Sequence, residues 1–187
     1  HTALATVSAI IACGATPVLV DVDPLYFTIN PIDMEQAVTK RTKAVIPVHI
    51  YGQAADMALI LDIAKETGIH VIEDCAQATG AEYNGCKVGS MGTSGCFSFY
   101  PTKNLGGIGD GGMVVTNDVD FASNVKSLRQ YGWDDQRDAR SLGLNSRLDE
   151  LQAAVLNIKL KYIERDNQQR IKLANLYDYN LKGSGFK

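Results

Sequence analysis

No Cys-x-x-Cys pair links the four cysteines, Cys13, Cys75, Cys86 and Cys96, and the three histidines are scattered. That pattern offers no zinc spacing, so no metal site is expected, and a reduced, cytoplasmic protein is the default reading. Charge is nearly balanced, 18 basic residues against 21 acidic ones for a net charge of −3. Such a balance gives no footprint for nucleic acid or an anionic membrane. No apolar run approaches the roughly 18–20 residues of a membrane-spanning helix, and no secretory leader is visible. A Gly-x-Ser-x-Gly elbow is missing, which removes the simplest hydrolase reading. Internal repeats and low-complexity segments are missing too. There is no initiator methionine, and the helical pattern begins almost at His1. The chain therefore reads as an excerpt of something longer.

What remains is ordinary globular composition, 45% hydrophobic and 21% charged over 187 residues. That is enough for one large domain with a real core. Residues 4–12 read as a short helix closed by Gly14, and Pro17–Asp23 as a strand. Asn30-Pro31 opens a helix to about Thr39, with Asn30 as cap and Asp33 near the positive end of the dipole. Ala44–Ile50 is a continuous apolar strand, Ala55–Thr67 an amphipathic helix stopped by Gly68, and Val71–Asp74 the next strand. This alternation predicts an α/β domain whose mostly parallel central sheet is flanked by helices. Residues 80–92 read as loop or hairpin, Cys96–Tyr100 and Met113–Thr116 as neighbouring strands, and Asp118 as the cap of a helix to about Arg129. A polar link over Tyr131–Leu144 precedes a helical pattern from Ser146 to about Leu181, with Leu148, Leu151, Val155, Ile158 and Tyr162 on one face. So long a helix predicts a bend or a bridging role.

The stretch Ser98–Gly112 carries the chemistry. An apolar and aromatic run reaches Lys103, and glycines follow at once, allowing close backbone approach. Gly107, Gly109 and Gly112 match the dinucleotide pattern Gly-x-Gly-x-x-Gly. That motif needs a helix after it, and the β-branched run Met113–Thr116 follows instead. Ligands of parallel sheets sit beyond the carboxyl ends of the strands, where Asp74 falls. Two readings of each residue stand side by side. Lys103 is a solvated turn lysine or a Schiff-base lysine, and Asp74 caps the turn over Ala76–Gly80 or lines a site. A lysine and a carboxylate at a sheet mouth, without metal ligands, point to pyridoxal 5′-phosphate (PLP): an amine for the aldehyde, and a carboxylate for the ring nitrogen.

Val71-Ile72-Glu73-Asp74-Cys75-Ala76-Gln77-Ala78, followed by Phe97-Ser98-Phe99-Tyr100-Pro101-Thr102-Lys103-Asn104-Leu105-Gly106, resembles the DegT/DnrJ/EryC1/StrS family of nucleotide-sugar aminotransferases. Pro47–Met57 and Gly143–Ala154 carry the same resemblance, so it spans essentially the whole chain. The resemblance implies a fold-type I PLP-dependent enzyme, usually a homodimer, moving an amino group from an amino acid donor, typically glutamate, to a nucleotide-linked keto sugar. It implies that residues 1–187 are the central part of the large domain, with the helix from about 146 leading toward a small domain outside this sequence. By the same resemblance Lys103 is the Schiff-base lysine and proton shuttle, and Asp74 pairs with the pyridinium nitrogen. Gln77 lies by the ring or its 3-hydroxyl, Ser98 binds the phosphate, and Asn145 reaches the phosphate bound by the partner subunit. His49 and Tyr51 are either a polar pair near the site or, for the histidine, a structural group. Ala3 stands where many members carry an aromatic side chain against the pyridine face, with His1 nearby. Related sugar dehydratases carry histidine in place of the lysine, so Lys103 favours transamination. A PLP-binding regulator on the same scaffold is the remaining alternative.

Overall fold

The computed structural model describes residues 1–185. Four strands form a mixed sheet: β1 (Ala44–Val45), β2 (His70–Asp74), β5 (Ser94–Ser98) and β6 (Gly112–Val115), in the order β1-β2-β5-β6. β1 pairs with β2 and β2 with β5 in parallel, whereas β6 runs antiparallel to β5. The parallel register sets Asp74 beside Cys96, so β2 and β5 end at one edge of the sheet. A small hairpin, β3 (Glu82–Tyr83) with β4 (Cys86–Lys87), lies between β2 and β5 in the chain, within the segment read as loop or hairpin.

Helices form where caps and apolar spacing agree. α1 (Leu4–Ala12) is followed by Gly14 at φ +73°, and α2 (Pro31–Ala37) starts on Asn30, whose Oδ1 accepts from the Ile32 and Asp33 amides. α3 (Met57–Thr67) is capped by Asp56 and buries Met57, Ile60 and Ala64, a spacing of three and four residues that makes one face. α4 (Val119–Leu128) is capped by Asp118, which accepts from the Phe121 amide at 2.9 Å. Met34, Val45, Met57, Ile60, Ala64, Ile69 and Val71 make the main core beneath the sheet.

Three expectations change. The apolar run Pro17–Asp23 forms no strand and keeps only an isolated bridge, Val22 to Ile29. Val18 and Leu19 are exposed, and an extended segment without a neighbour gains no ladder. Ala44–Ile50 shortens to two residues. Pro47 lacks an N–H for the ladder, Val48 makes a single bridge to Asp74, and a 3₁₀ turn follows at Ile50–Gly52. The long C-terminal helix is two, α5 (Glu150–Leu160) and α6 (Ile163–Leu181), separated at Lys161–Tyr162, so the expected bend is a break. Its inward face also differs. Leu156 is buried and Ile163 packs with it, while Leu151, Ile158 and Tyr162 face outward. Hydrophobic period alone does not say which stripe meets the sheet, and the inward stripe is largely polar.

Beneath the strand ends lies a buried carboxylate. Glu73 and His49 are both fully buried, with His49 Nε2 and Glu73 Oε2 3.0 Å apart. Because His49 Nδ1 accepts from the Ala55 amide at 3.1 Å, the ring proton sits on Nε2 and donates to Glu73. The amides of Gly89, Met91 and Gly92 donate at 2.7, 2.8 and 2.7 Å, so all four lone-pair positions of the carboxylate are used. Burial alone pushes the Glu73 carboxyl up, but the hydrogen bonds from His49, Gly92, Gly89 and Met91 outweigh it and hold the group below its ordinary value. The loop these amides belong to crosses β5 backbone on backbone. A Cβ on Gly95 would strike the main chain of Gly89.

A depressed folded-state value means that Glu73 contributes stability above its unfolded value, near 4.5, and that this is lost as pH falls through the lower folded value. Glu73→Gln, which turns an acceptor into a donor toward those amides, should cost about 3 kcal/mol at pH 7. In urea titrations the deficit should shrink as pH drops below 4.5. An equal deficit at pH 7 and in acid would mean the lost charge is not what matters.

Candidate active site

Asp74 closes β2 at the sheet edge. Its amide donates to Pro47 O at 2.9 Å and its carbonyl accepts from the His49 amide at 3.0 Å, which fixes the backbone on the β1 side. The side chain is half-buried. Oδ1 accepts from the Ala76 amide at 3.1 Å, so the residue does cap the turn that follows. Oδ2 accepts from the Thr6 hydroxyl at 2.9 Å, and Thr6 Oγ1 lies 2.7 Å from Thr2 Oγ1. Sequence reasoning missed Thr6. Its contact with Asp74 spans 68 residues, and Thr2, whose hydroxyl it also meets, lies before α1 begins, so no helical spacing marked the pair.

Gln77 sits three residues on, and its Oε1 accepts from the Tyr51 amide at 2.9 Å, leaving the NH₂ unused in that bond. Tyr51 is held at φ +57°, an uncommon region for a side chain of its size. Its hydroxyl lies 2.8 Å from His1 Nε2, and the two rings are 5.8 Å apart. Of the two residues left open in sequence, His49 is a structural group, buried and bonded to Glu73, and Tyr51 is an exposed residue at the mouth.

Ser98 ends β5, and its Oγ accepts from the Tyr100 amide at 3.3 Å, which leaves the hydroxyl proton for an outside acceptor. The chain then turns. Lys103 N donates to Tyr100 O at 2.9 Å, Gly107 N to Phe99 O at 2.8 Å, and Phe99 N to Gly111 O at 2.7 Å. Gly106 permits this return, since a Cβ there would run into the Pro101 carbonyl. Among the described residues nothing bonds to the Lys103 ammonium, whereas its main chain is fixed. Asn104 ties this loop to the turn after Asp74 through Nδ2 to Thr79 O at 2.7 Å. Asp74, Gln77, Ser98 and Lys103 thus lie on connected segments at one sheet edge.

Asn145 does not join them. The expectation placed it at the N-terminus of a helix starting at Ser146, but α5 begins at Glu150 with Asp149 as its cap. Asn145 is exposed, bridges to Gln130, and its Oδ1 accepts from Arg147 Nε at 3.0 Å. Backbone bonds from Tyr131 to Leu144 O, Leu144 to Leu128 O and Ser146 to Arg129 O zip this strap onto the end of α4. Local pairing with the α4 end therefore replaces the expected helical cap.

Two cysteines flank the site. Burial pushes the Cys75 thiol far up, reinforced by the charges of Glu73 and Asp74, and burial with the Asp74 charge raises Cys96. Neither is a thiolate nucleophile at neutral pH. His49, Glu73 and Cys75 bring one donor atom each within 4.8 Å. The imidazole and carboxylate positions are already taken by N–H donors and the thiol keeps its proton, so this cluster is a hydrogen-bonded support and not a metal centre.

The DegT/DnrJ/EryC1/StrS aminotransferase family matches residues 1–186. The chain belongs to that family. Among curated relatives of this DegT/DnrJ/EryC1/StrS member, it is 52% identical over 176 residues to a pleiotropic regulatory protein of Geobacillus stearothermophilus, covering 94% of this chain and 47% of that protein. It is 48% identical over 182 residues to the UDP-N-acetyl-3-dehydro-alpha-D-glucosamine 3-aminotransferase of Acidithiobacillus ferrooxidans, covering 97% and 49%. The structure of S. venezuelae DesV in complex with a ketimine intermediate superposes with a TM-score of 0.95 at 46% identity, covering 98% of this chain and 49% of that one. The chain spans about half the length of the relatives it matches. Its α/β fold is that of the PLP-dependent aminotransferases.

Proposed function

We propose that the whole protein is a PLP-dependent transaminase acting on a nucleotide-linked keto-deoxyhexose. It takes the amino group from an amino acid, L-glutamate, and makes an amino sugar for cell-surface polysaccharide or a secondary metabolite, in the cytoplasm. The observation that carries this reading is the uncommitted Lys103 amine, on a rigid loop bonded to the turn of Asp74 and Gln77, in a chain of this family.

The donor set fits the cofactor. Lys103 offers a primary amine with no competing partner among the described residues. Asp74 offers a half-buried carboxylate oriented by Thr6 and the Ala76 amide, with lone pairs to spare. Ser98 has a free hydroxyl proton for a phosphate, and Gln77 a free NH₂ for a ring oxygen. When bound, PLP supplies the aldehyde carbon and the electron-withdrawing ring that amino transfer needs. Lys103 would anchor the aldehyde carbon and then carry a proton between donor carbon and cofactor carbon. Asp74 would hold the proton on the ring nitrogen by charge, and Ser98 would fix the phosphate. Lys103 and Asp74 together favour this chemistry over a dehydratase, which carries histidine in place of the lysine, and over a regulator that has lost catalysis.

This chain would be the central part of the large domain of a homodimer, with Asn145 acting in trans on the phosphate held by the partner subunit. The exposed strap supports that reading, because among the described residues Asn145 has no hydrogen bond to Asp74, Gln77, Ser98 or Lys103 and is close in sequence to exposed Leu142 and Leu144. On α5 the outward Leu151 and Ile158 leave further apolar surface to bury.

Borohydride reduction of the PLP-loaded protein, followed by peptide mapping, should place the adduct on Lys103, and an adduct on any other lysine would remove the assignment. A panel of dTDP- and UDP-linked keto-hexoses with L-glutamate then identifies the substrate. Asp74→Asn should keep the fold by circular dichroism yet lose about a hundredfold in kcat, on the order of 3 kcal/mol of barrier. Near-normal turnover in that variant takes Asp74 out of the mechanism. Reassembling inactive Lys103→Ala with inactive Asn145→Ala subunits should restore roughly a quarter of wild-type activity, since each mixed dimer has one site free of both lesions. Mixtures no more active than the separate variants would place Asn145 in its own subunit's site.

A further inference from the structure

The loop that carries Lys103 is gripped by side chains from the two C-terminal helices. Gln152, Leu156, Lys159, Ile163 and Asn167 recur every three or four residues and form one continuous stripe across the α5–α6 break. Each meets the loop or the hydrophobic contact beneath it. Gln152 Oε1 accepts from the Ile108 amide at 2.8 Å, and Lys159 Nζ donates to the Gly106 carbonyl. Leu156 and Ile163 pack with Phe99 and Leu105, the residues on either side of the turn. Asn167 completes the stripe. Its Oδ1 accepts from Asn104 Nδ2 at 3.2 Å, and its Nδ2 donates to Thr79 O at 3.0 Å.

The node is sparsely bonded. Asn104 Oδ1 and Thr79 Oγ1 are buried without a hydrogen-bond partner among the described residues. Asn104 is therefore oriented by its nitrogen alone, shared between the Thr79 carbonyl and Asn167. Thr79 belongs to the turn after Asp74 and Gln77, and Asn104 is the neighbour of Lys103. One carboxamide on α6 thus ties together the segment holding the acid and the segment holding the amine. We propose that Asn167 is a positioning residue for Lys103, acting through Asn104 rather than on any reactant. Through it the C-terminal helices fix the distance between the amine and the carboxylate. The inference rests on the transaminase reading for its kinetic consequence only. The mechanical part, that Asn167 orders the Lys103 loop, stands apart from it.

The test uses the whole protein carrying Asn167→Ala, Asn167→Leu, Asn104→Ala and the double variant Asn104→Ala/Asn167→Ala. Asn167→Leu fills the space, so loss of folding in the alanine variant leaves a second probe. In the cofactor-free protein, amide hydrogen exchange over residues 103–109 should rise about tenfold while exchange in β2 stays unchanged. In the loaded protein kcat should fall about 10–100-fold with KM for the amino donor within a factor of two, the signature of a misplaced group and not of lost binding. The double variant should be no slower than the slower single one, since both substitutions cut the same connection. Unchanged loop exchange, a loss confined to KM, or additive losses in the double variant would each overturn the proposal. Faster loop exchange in a protein whose wild type transfers no amino group would leave the clamp standing and remove the transaminase reading.

Discussion

The buried carboxylate of Glu73 is the constraint on which the rest of the structure depends. An ionised group shut away from water costs several kcal/mol unless its lone pairs are filled, and here four N–H groups fill them. Three of those donors lie in one loop, and the fourth, His49, lies on the segment that continues from β1. Glu73 thereby draws the 89–92 loop under β2 and the His49–Gly52 turn beside it. The next residue is Asp74, on the opposite face of the strand, as the alternation of side chains requires. A structural acid facing in and a functional candidate facing the mouth are consecutive, so the rigidity of the first is passed directly to the second.

Against that foundation, the site divides into a fixed half and a held half. Asp74 ends β2 and Gln77 lies three residues beyond, and both are set by the sheet and by the Ala76 and Tyr51 amides. Lys103 follows β5, but it stands five residues beyond the strand end, and the sheet alone does not reach it. The glycine loop is instead stiffened from outside, by the polar stripe on α5 and α6. A parallel sheet places strand ends reliably, while a group several residues beyond an end needs other contacts to be placed.

The sequence made much of this legible, and the failures have physical reasons. Asn30 and Asp118 announced helix starts because capping is local chemistry, written within four residues. The strand-end positions of Asp74 and Ser98, and the loop position of Lys103, were legible because strand ends and glycine turns are also local. Pro17–Asp23 misled, because an apolar run says that burial is favourable and not that a partner strand is there. Ser146 misled for a related reason: a good capping residue was outcompeted by pairing of the strap with Gln130. Thr6 and the helical stripe were out of reach. Their significance lies in contacts 68 and 44 residues away, which hydrophobic periodicity does not encode. The same holds for Glu73, whose charge in a strand gave no hint of its four donors.

The crossing of Gly89 over Gly95 has a consequence for how related sequences are read. A methyl group on Gly95 would strike the Gly89 main chain, and one on Gly89, itself at φ +89°, would press into the Phe97 ring. Both glycines would therefore resist substitution in any protein that keeps the Glu73 loop, whatever reaction it performs. An alignment would show them as fixed columns a short distance before the lysine, easily mistaken for part of a catalytic signature. They report the steric cost of tucking a loop beneath a strand, and would persist in a descendant that had abandoned the chemistry altogether.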